Sequence, residues 1–341
     1  MQESGPKLGR ALLGPMPVRE GLPRPDWWSV QARWMSLPAE ARASAWSQVE
    51  RAWQEATASA WRSHGRGFMV REEGELLVTS DLPAAEVDRV YALGRRTLGV
   101  IERCLAGLGV ESYVQQSAGY NGAGLDVVVI CRRRADYEDY VADAEPEERA
   151  GEGRRGVCLR QGSVHVAAWG ATADALAAPL ARAWSHSRLS QWDLPAWLRN
   201  GMATHLREAV APSGRYEPNL QTAALHRGYW TPGRLGRFFD GTGFDADTES
   251  RPLTDHLAHT VFGGLLLRGE TKLLQYLEQI TSRDAGAEAC AAVYGCGLDQ
   301  LLPEAVREAA AANADRWAEE AADDGGIQDH SEPGVGDDDA V

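Results

Sequence analysis

The chain has 341 residues, 44% of them hydrophobic, enough to bury one large core with a small appendage. Its formal net charge is −14, but nine acids and no Lys or Arg fall from Glu319 onward, which leaves −5 for the body. An ordinary soluble surface with an acidic tail argues against nucleic acid as the main partner. No apolar run is long enough to span a membrane, and the start M-Q-E-S-G-P-K-L-G-R-A-L-L-G-P lacks a signal-peptide core. The cytoplasm is therefore the expected location, and a trimmed start would shift that to an extracytoplasmic one.

Residues 1–25 are dense in Gly and Pro and predict an extended arm. Residues 38–63 predict an amphipathic helix, with Pro38 in a first turn and Trp46, Val49, Trp53, Ala60 and Trp61 at helical spacing. Six of the twelve tryptophans precede residue 62. Such a stripe packs a helix onto the main body, and its functional alternative is a docking face for a partner or ligand.

Residues 67–79 read as two short strands around E-E-G-E, followed by a helix from about Ala84 to Leu108. The stretch Q-S-A-G-Y-N-G-A-G is a loop. With no Lys-Ser/Thr after it, it is not a phosphate cradle. Leu125–Cys131 predicts a buried strand, Asp136–Ala144 a short helix, and E-P-E-E-R-A-G-E-G a surface loop. Gly156–Arg160 and Ser163–Trp169 form a hairpin around Gln161-Gly162.

Beyond Ala171 the pattern is almost wholly helical, over 172–189, 194–211, 219–228, 253–268, 271–282 and 298–318, with Pro179 kinking or starting the first. The tail after Ala321 has no hydrophobic pattern and is expected to be disordered. The sum is an α+β fold in which a small mixed or antiparallel sheet leads into a mainly helical half. It divides into residues 1–64 (arm and Trp-rich helix), 65–318 (main domain) and 319–341 (acidic tail).

The basic runs Arg132-Arg133-Arg134 and Arg154-Arg155 sit among acids and read as solvated strand ends. The five cysteines are odd in number and contain no C-x-x-C. Cys131 and Cys158 fall in strand-like apolar runs as small hydrophobes. Cys290 and Cys296 could pair across a turn, but reduced core thiols are the favoured reading, and none of the five forms a metal site.

The most informative stretch is 178–210, where A-R-A-W-S-H on one helix is followed by L-P-A-W-L-R-N-G-M-A-T on the next. It resembles the gluzincins, the thermolysin-type zinc metallopeptidases of the peptidase MA type, in particular a bacterial group of uncharacterised domains. Their pattern is H-E-x-x-H, then P-x-W-L-x-E-G-x-A-x-Y. The matching residues are His186, Leu194, Pro195, Trp197, Leu198, Gly201, Ala203 and Thr204, and the order of elements resembles that group over roughly 66–318. In such enzymes the two histidines and the later Glu hold zinc, and the Glu of the first motif is the general base. Here Arg182 stands at the first ligand, Ala183 at the base and Asn200 at the third ligand.

The resemblance therefore implies a degenerate, gluzincin-like pseudo-peptidase with no catalytic residue and no cofactor. A guanidinium has five donors and no acceptor, and its fixed charge repels a dication. A neutral amide is a poor zinc ligand, and Ala183 cannot take a proton from water. Arg182 is expected to replace the metal as the central positive charge, donating to Asn200 and to a carboxylate such as Asp193. The plain alternative leaves Arg182 in solvent and His186 as an ordinary helix histidine.

The expected role is binding of protein or peptide, with Arg182, His186, Asn200 and Thr204 lining the cleft and Ser163–Trp169 as the edge to which a peptide could add. The alternative is a zinc hydrolase with rewired ligands drawn from His186, His205, His256, His259 and Glu208, of which His186 is the first choice. A third reading is a structural relic that acts through its Trp-rich helix. Ser185 and Ser187 flank His186, but neighbours on a helix point apart and give no triad.

Overall fold

The structure, a computed structural model, describes residues 5–107, 124–142, 155–160, 162–190, 192–211, 220–244 and 251–314. The Q-S-A-G-Y-N-G-A-G loop (except Gly124), the E-P-E-E-R-A-G-E-G stretch and the acidic tail lie outside the described residues. The fold is α+β, with a five-stranded mixed sheet, a separate two-stranded hairpin and many helices.

The sheet is built on the run D-V-V-V-I-C. As strand β5 (Asp126–Cys131) it lies between parallel neighbours β4 (Leu76–Ser80) and β7 (His165–Trp169). A strand buried on both faces can be apolar throughout, and side chains alternate sides. Val128 and Ile130 face the larger core, with helices α4 (Ala84–Gly107) and α6 (Ala173–Leu189). Val129 and Cys131 face a second core with helix α3 (Ala39–Ser63) and α5 (Arg134–Val141).

Strand β3 (Met69–Glu73) pairs antiparallel with β4 at one edge, and β6 (Gly156–Leu159) pairs antiparallel with β7 at the other. This corrects one expectation. His165–Trp169 is an inner strand, and among the described residues the edge on that side is Gly156–Leu159, because β7 takes β5 on its other side.

The N-terminal arm also departs from its reading. Residues Gly5–Leu13 form helix α1, followed by the hairpin β1 (Val18–Arg19) and β2 (Leu22–Pro23) and helix α2 (Trp27–Met35). Helix α1 crosses α3 so closely that a Cβ at Gly9 would overlap the Gln48 carbonyl. Three leucines, Leu12, Leu13 and Leu22, are buried there. Short apolar stretches of this kind gain their order from the partner helix. The tryptophan stripe of α3 packs inward as read, with Trp46, Trp53 and Trp61 at most 3% exposed.

Helix α6 starts at Ala173 under a Thr172 cap and runs through Pro179. It is followed by α7 (Ala196–Val210), α8 (Leu220–Tyr229), α9 (Pro232–Asp240), α10 (Arg251–Leu267), α11 (Glu270–Gln279), α12 (Ala287–Tyr294) and α13 (Glu304–Ala312). Helices α9 and α12 were not expected. The span 298–318 is broken, because Pro303 separates a short 3-10 turn (Leu298–Leu301) from α13. No helix among the described residues is long and apolar enough to cross a membrane.

Between α3 and the sheet lies a buried polar network that the sequence reading missed. Glu50 accepts from Ser163 Oγ at 2.6 Å and from the Leu125 N–H at 2.7 Å. Thr79 donates to Gln54 at 2.8 Å. Nearby, His165 lies 2.7 Å from the Ser163 carbonyl through Nδ1 and 3.0 Å from the Tyr140 hydroxyl through Nε2. Burial raises the Glu50 carboxyl to about 7 and lowers His165 to about 4. Both groups thus favour their neutral forms inside the fold.

The two act on stability with opposite signs. Glu50 is raised in the fold, so its contribution is full below its unfolded value of 4.5 and is lost as pH climbs to about 7. His165 is lowered, so its contribution grows as pH rises from about 4 to 6.5. The two slopes oppose each other over most of this range. Replacing Glu50→Gln should leave the His165 slope exposed, and stability should then rise from pH 4.5 to 6.5 by about 2–3 kcal/mol relative to wild type. Urea unfolding of both proteins across that range tests this, and parallel curves would show that Glu50 is not held neutral.

Candidate functional site

The helix pair singled out in the sequence is set by two close approaches. Helix α7 lies against α10 at Gly201, where a Cβ would sit 2.5 Å from the Ala258 carbonyl oxygen. Edge strand β6 lies against α6 at Gly156, where a Cβ would sit 2.8 Å from the Pro179 carbonyl oxygen. Any larger residue at either position would force the elements apart. These contacts bring Arg182 of α6, Asn200 of α7 and Asp255 of α10 to one point.

Arg182 Nη2 donates to Asn200 Oδ1 at 3.2 Å and to Asp255 Oδ1 at 3.0 Å. Asn200 in turn donates from Nδ2 to the Ala196 carbonyl at 2.9 Å, which fixes the direction of its amide. Arg182 and Asp255 are only 16% and 19% exposed, so the pair is largely withdrawn from water. The expectation for Asn200 holds, and the expectation for Asp193 is corrected. Asp193 accepts from Ser282 instead, and the carboxylate on Arg182 comes from a helix 73 residues downstream.

A second ion pair continues the seam along α7, where Arg207 Nη2 approaches Glu208 at 3.6 Å. Burial, and next the charge of Arg182, push Arg207 below the ordinary arginine value. Two ion pairs thus lie along α6, α7 and α10.

Above the seam opens a cleft of about 280 Å³. Its walls are β6 with Arg160, the α6 face bearing Arg182, Ala183 and His186, the start of α7 with Arg199 and Asn200, and Asp240–Phe244 with Arg251. A recess of about 600 Å³ adjoins it and shares Arg160, Arg199 and Asp240. Of the four residues expected to line the cleft, Arg182, His186 and Asn200 do so. Thr204 is 4% exposed and is not among the lining residues, because one turn further along α7 it has passed under the α10 contact. Arg160, Arg199 and Arg251 were missed, since single arginines in loops and on helices carry no pattern.

The histidines offered for a rewired metal site do not join His186. His205 stacks on His259 with ring centres 4.1 Å apart, and His259 Nε2 lies 3.2 Å from Glu208. His256 meets His226, whose Nδ1 accepts from the Trp230 indole N–H at 2.7 Å. An indole only donates, so the proton of neutral His226 lies on Nε2 and points to His256 Nδ1. Burial lowers both of these imidazoles, and burial together with the neighbouring His226 and His259 takes His256 to about 4. Among the described residues, no three His, Cys, Asp or Glu side chains are grouped to hold a metal ion. The donor set on Arg182 and Asn200 does not fit a catalytic zinc, because one member is a cation and the other a neutral amide.

Cys290 and Cys296 are free, with sulfurs 3.8 Å apart, and Cys158 faces the cleft from β6. Searches of protein-family descriptions, of curated proteins and of solved structures find no match for this chain.

Arg182→Ala removes both hydrogen bonds from a mostly buried centre and should cost about 2–4 kcal/mol, with Arg182→Lys recovering only part of it. Denaturant midpoints measure this. A loss below about 0.5 kcal/mol for the alanine variant would show that the guanidinium does not tie the helices.

Proposed function

We propose that the chain is a non-catalytic pseudo-peptidase of gluzincin type, and that its cleft binds an extended segment of protein or peptide. The observation that carries this reading is the Arg182 guanidinium bonded to Asn200 and Asp255 at the point where the resemblance puts a zinc ion. A fixed cation there supplies the positive charge that holds the helix pair together. It offers no open coordination position and no acidified water, so hydrolysis has no starting point. Ala183 at the general-base position supports the same conclusion.

What remains is a surface suited to binding. Strand β6 is at the sheet edge among the described residues, and it lies directly beside α6. An extended peptide placed there could continue the sheet through backbone hydrogen bonds while its side chains enter the cleft. Val157 and Leu159 belong to the core under the sheet, while Gly156 and Cys158 are partly exposed. The strand therefore stays anchored while one of its faces lies beside the cleft.

The test is to put back what the substitutions removed. Purified wild-type protein should hold only substoichiometric zinc by elemental analysis. The variant Arg182→His, Ala183→Glu, Asn200→Glu should hold about one equivalent, lost again on His186→Ala. A folded triple variant that stays free of zinc would mean that the helix pair does not have gluzincin geometry. Stoichiometric zinc in the wild type, together with turnover of any peptide, would overturn the non-catalytic reading.

A further inference from the structure

Two thiols meet at the C-terminal end of α12. Gly295 closes that helix in the left-handed conformation, at φ 67, and its N–H bonds to the Ala291 carbonyl at 3.1 Å. A helix that ends this way folds the residue after the glycine back over its last turns, commonly as an apolar contact. Here the two residues that meet are Cys290 and Cys296, and their sulfurs lie 3.8 Å apart.

The two sulfurs are not equivalent. Cys290 is fully buried in the larger core, and burial pushes its thiol up to about 12. Cys296 is partly exposed. Arg268, just past the end of α10, donates to Cys296 Sγ at 3.5 Å and to the Gln300 carbonyl at 3.1 Å. Its guanidinium lies 5.5 Å from the centre of the Tyr294 ring. The turn that carries Cys296 is thus tied to α10 on one side and to α12 on the other. An accessible sulfur with a second sulfur in contact behind it is the arrangement in which an oxidised thiol is captured before it oxidises further.

We propose that Cys290 and Cys296 are a redox-sensing pair, which hydrogen peroxide converts into a disulfide and a dithiol reductant restores. Cys296 meets the oxidant, because it is the accessible member. Its thiolate attacks one peroxide oxygen, the O–O bond breaks, and the hydroxide that leaves takes up the proton Cys296 gave up. Cys296 is then a sulfenic acid. The Cys290 sulfur attacks the sulfenic sulfur, the S–O bond breaks, and the leaving hydroxide carries off the Cys290 proton as water. In sum two thiols lose two hydrogens and two electrons, and one peroxide becomes two waters. Cys290 never needs to reach solvent, since contact makes the second step intramolecular. The bond fastens the end of α12 to the turn that leads into α13.

The experiment uses the full chain in its folded state. It is treated with hydrogen peroxide, the remaining thiols are alkylated, and the tryptic peptides are weighed. Trypsin leaves both sulfurs on one peptide, residues 284–307. That peptide should appear two hydrogens lighter and unalkylated, and dithiothreitol should return it to the doubly alkylated form. With dimedone present during oxidation, Cys290→Ala should carry at least ~10-fold more adduct on Cys296 than wild type, because nothing captures its sulfenic acid. In Cys296→Ala, Cys290 should keep its thiol. The oxidised wild type should melt a few degrees above the reduced protein, as expected of a bond that fits a turn already in place.

The wild-type peptide decides the matter whether or not the variants fold. Dimedone adduct or sulfinic acid on wild-type Cys296 without a bond to Cys290 would overturn the proposal. So would an unreacted pair in protein whose exposed Cys104 has been oxidised, or an oxidised form that melts below the reduced one.

Discussion

One guanidinium on α6 is shared between an amide on α7 and a carboxylate on α10, and the arrangement of the helical half depends on that sharing. Bringing Arg182 and Asp255 out of water is costly, and the cost is offset only if their hydrogen-bonding groups are met at good geometry. That geometry requires α7 and α10 to lie almost in backbone contact, which Gly201 permits. The constraint therefore runs from a residue without a side chain, through helix spacing, to a charge pair. Arg207 and Glu208 add a second ion pair beside it.

Buried polar groups lie on both faces of the sheet. On the α6 side Arg182 pairs with Asp255, and on the α3 side Asp136, 1% exposed, pairs with Arg66 and Arg133. On the α3 side Glu50 and His165 are pushed toward their neutral forms, and both are held by uncharged partners at close range, Ser163 and Tyr140 among them. The edge strand is common to both faces, since Val157 and Leu159 sit in the α3 core while Gly156 and Cys158 border the cleft.

Much of this was legible because local pattern and burial agree. The tryptophan stripe of α3, the β6–β7 hairpin and the Arg182–Asn200 contact all follow from spacing along one or two adjacent elements. Failures occurred where the deciding partner is remote. Asp255 was missed in favour of Asp193, because only the α7–α10 packing brings a residue 73 positions away onto Arg182. The edge strand was misassigned because strand order depends on which neighbour β7 takes. Glu50 left a usable signal: it lies four residues after Trp46 and three before Trp53, on the apolar stripe rather than opposite it. A carboxylate in that position has to find donors or lose its charge. Helix α1 gave little signal, since Gly9 weakens its propensity while making the crossing with α3 possible.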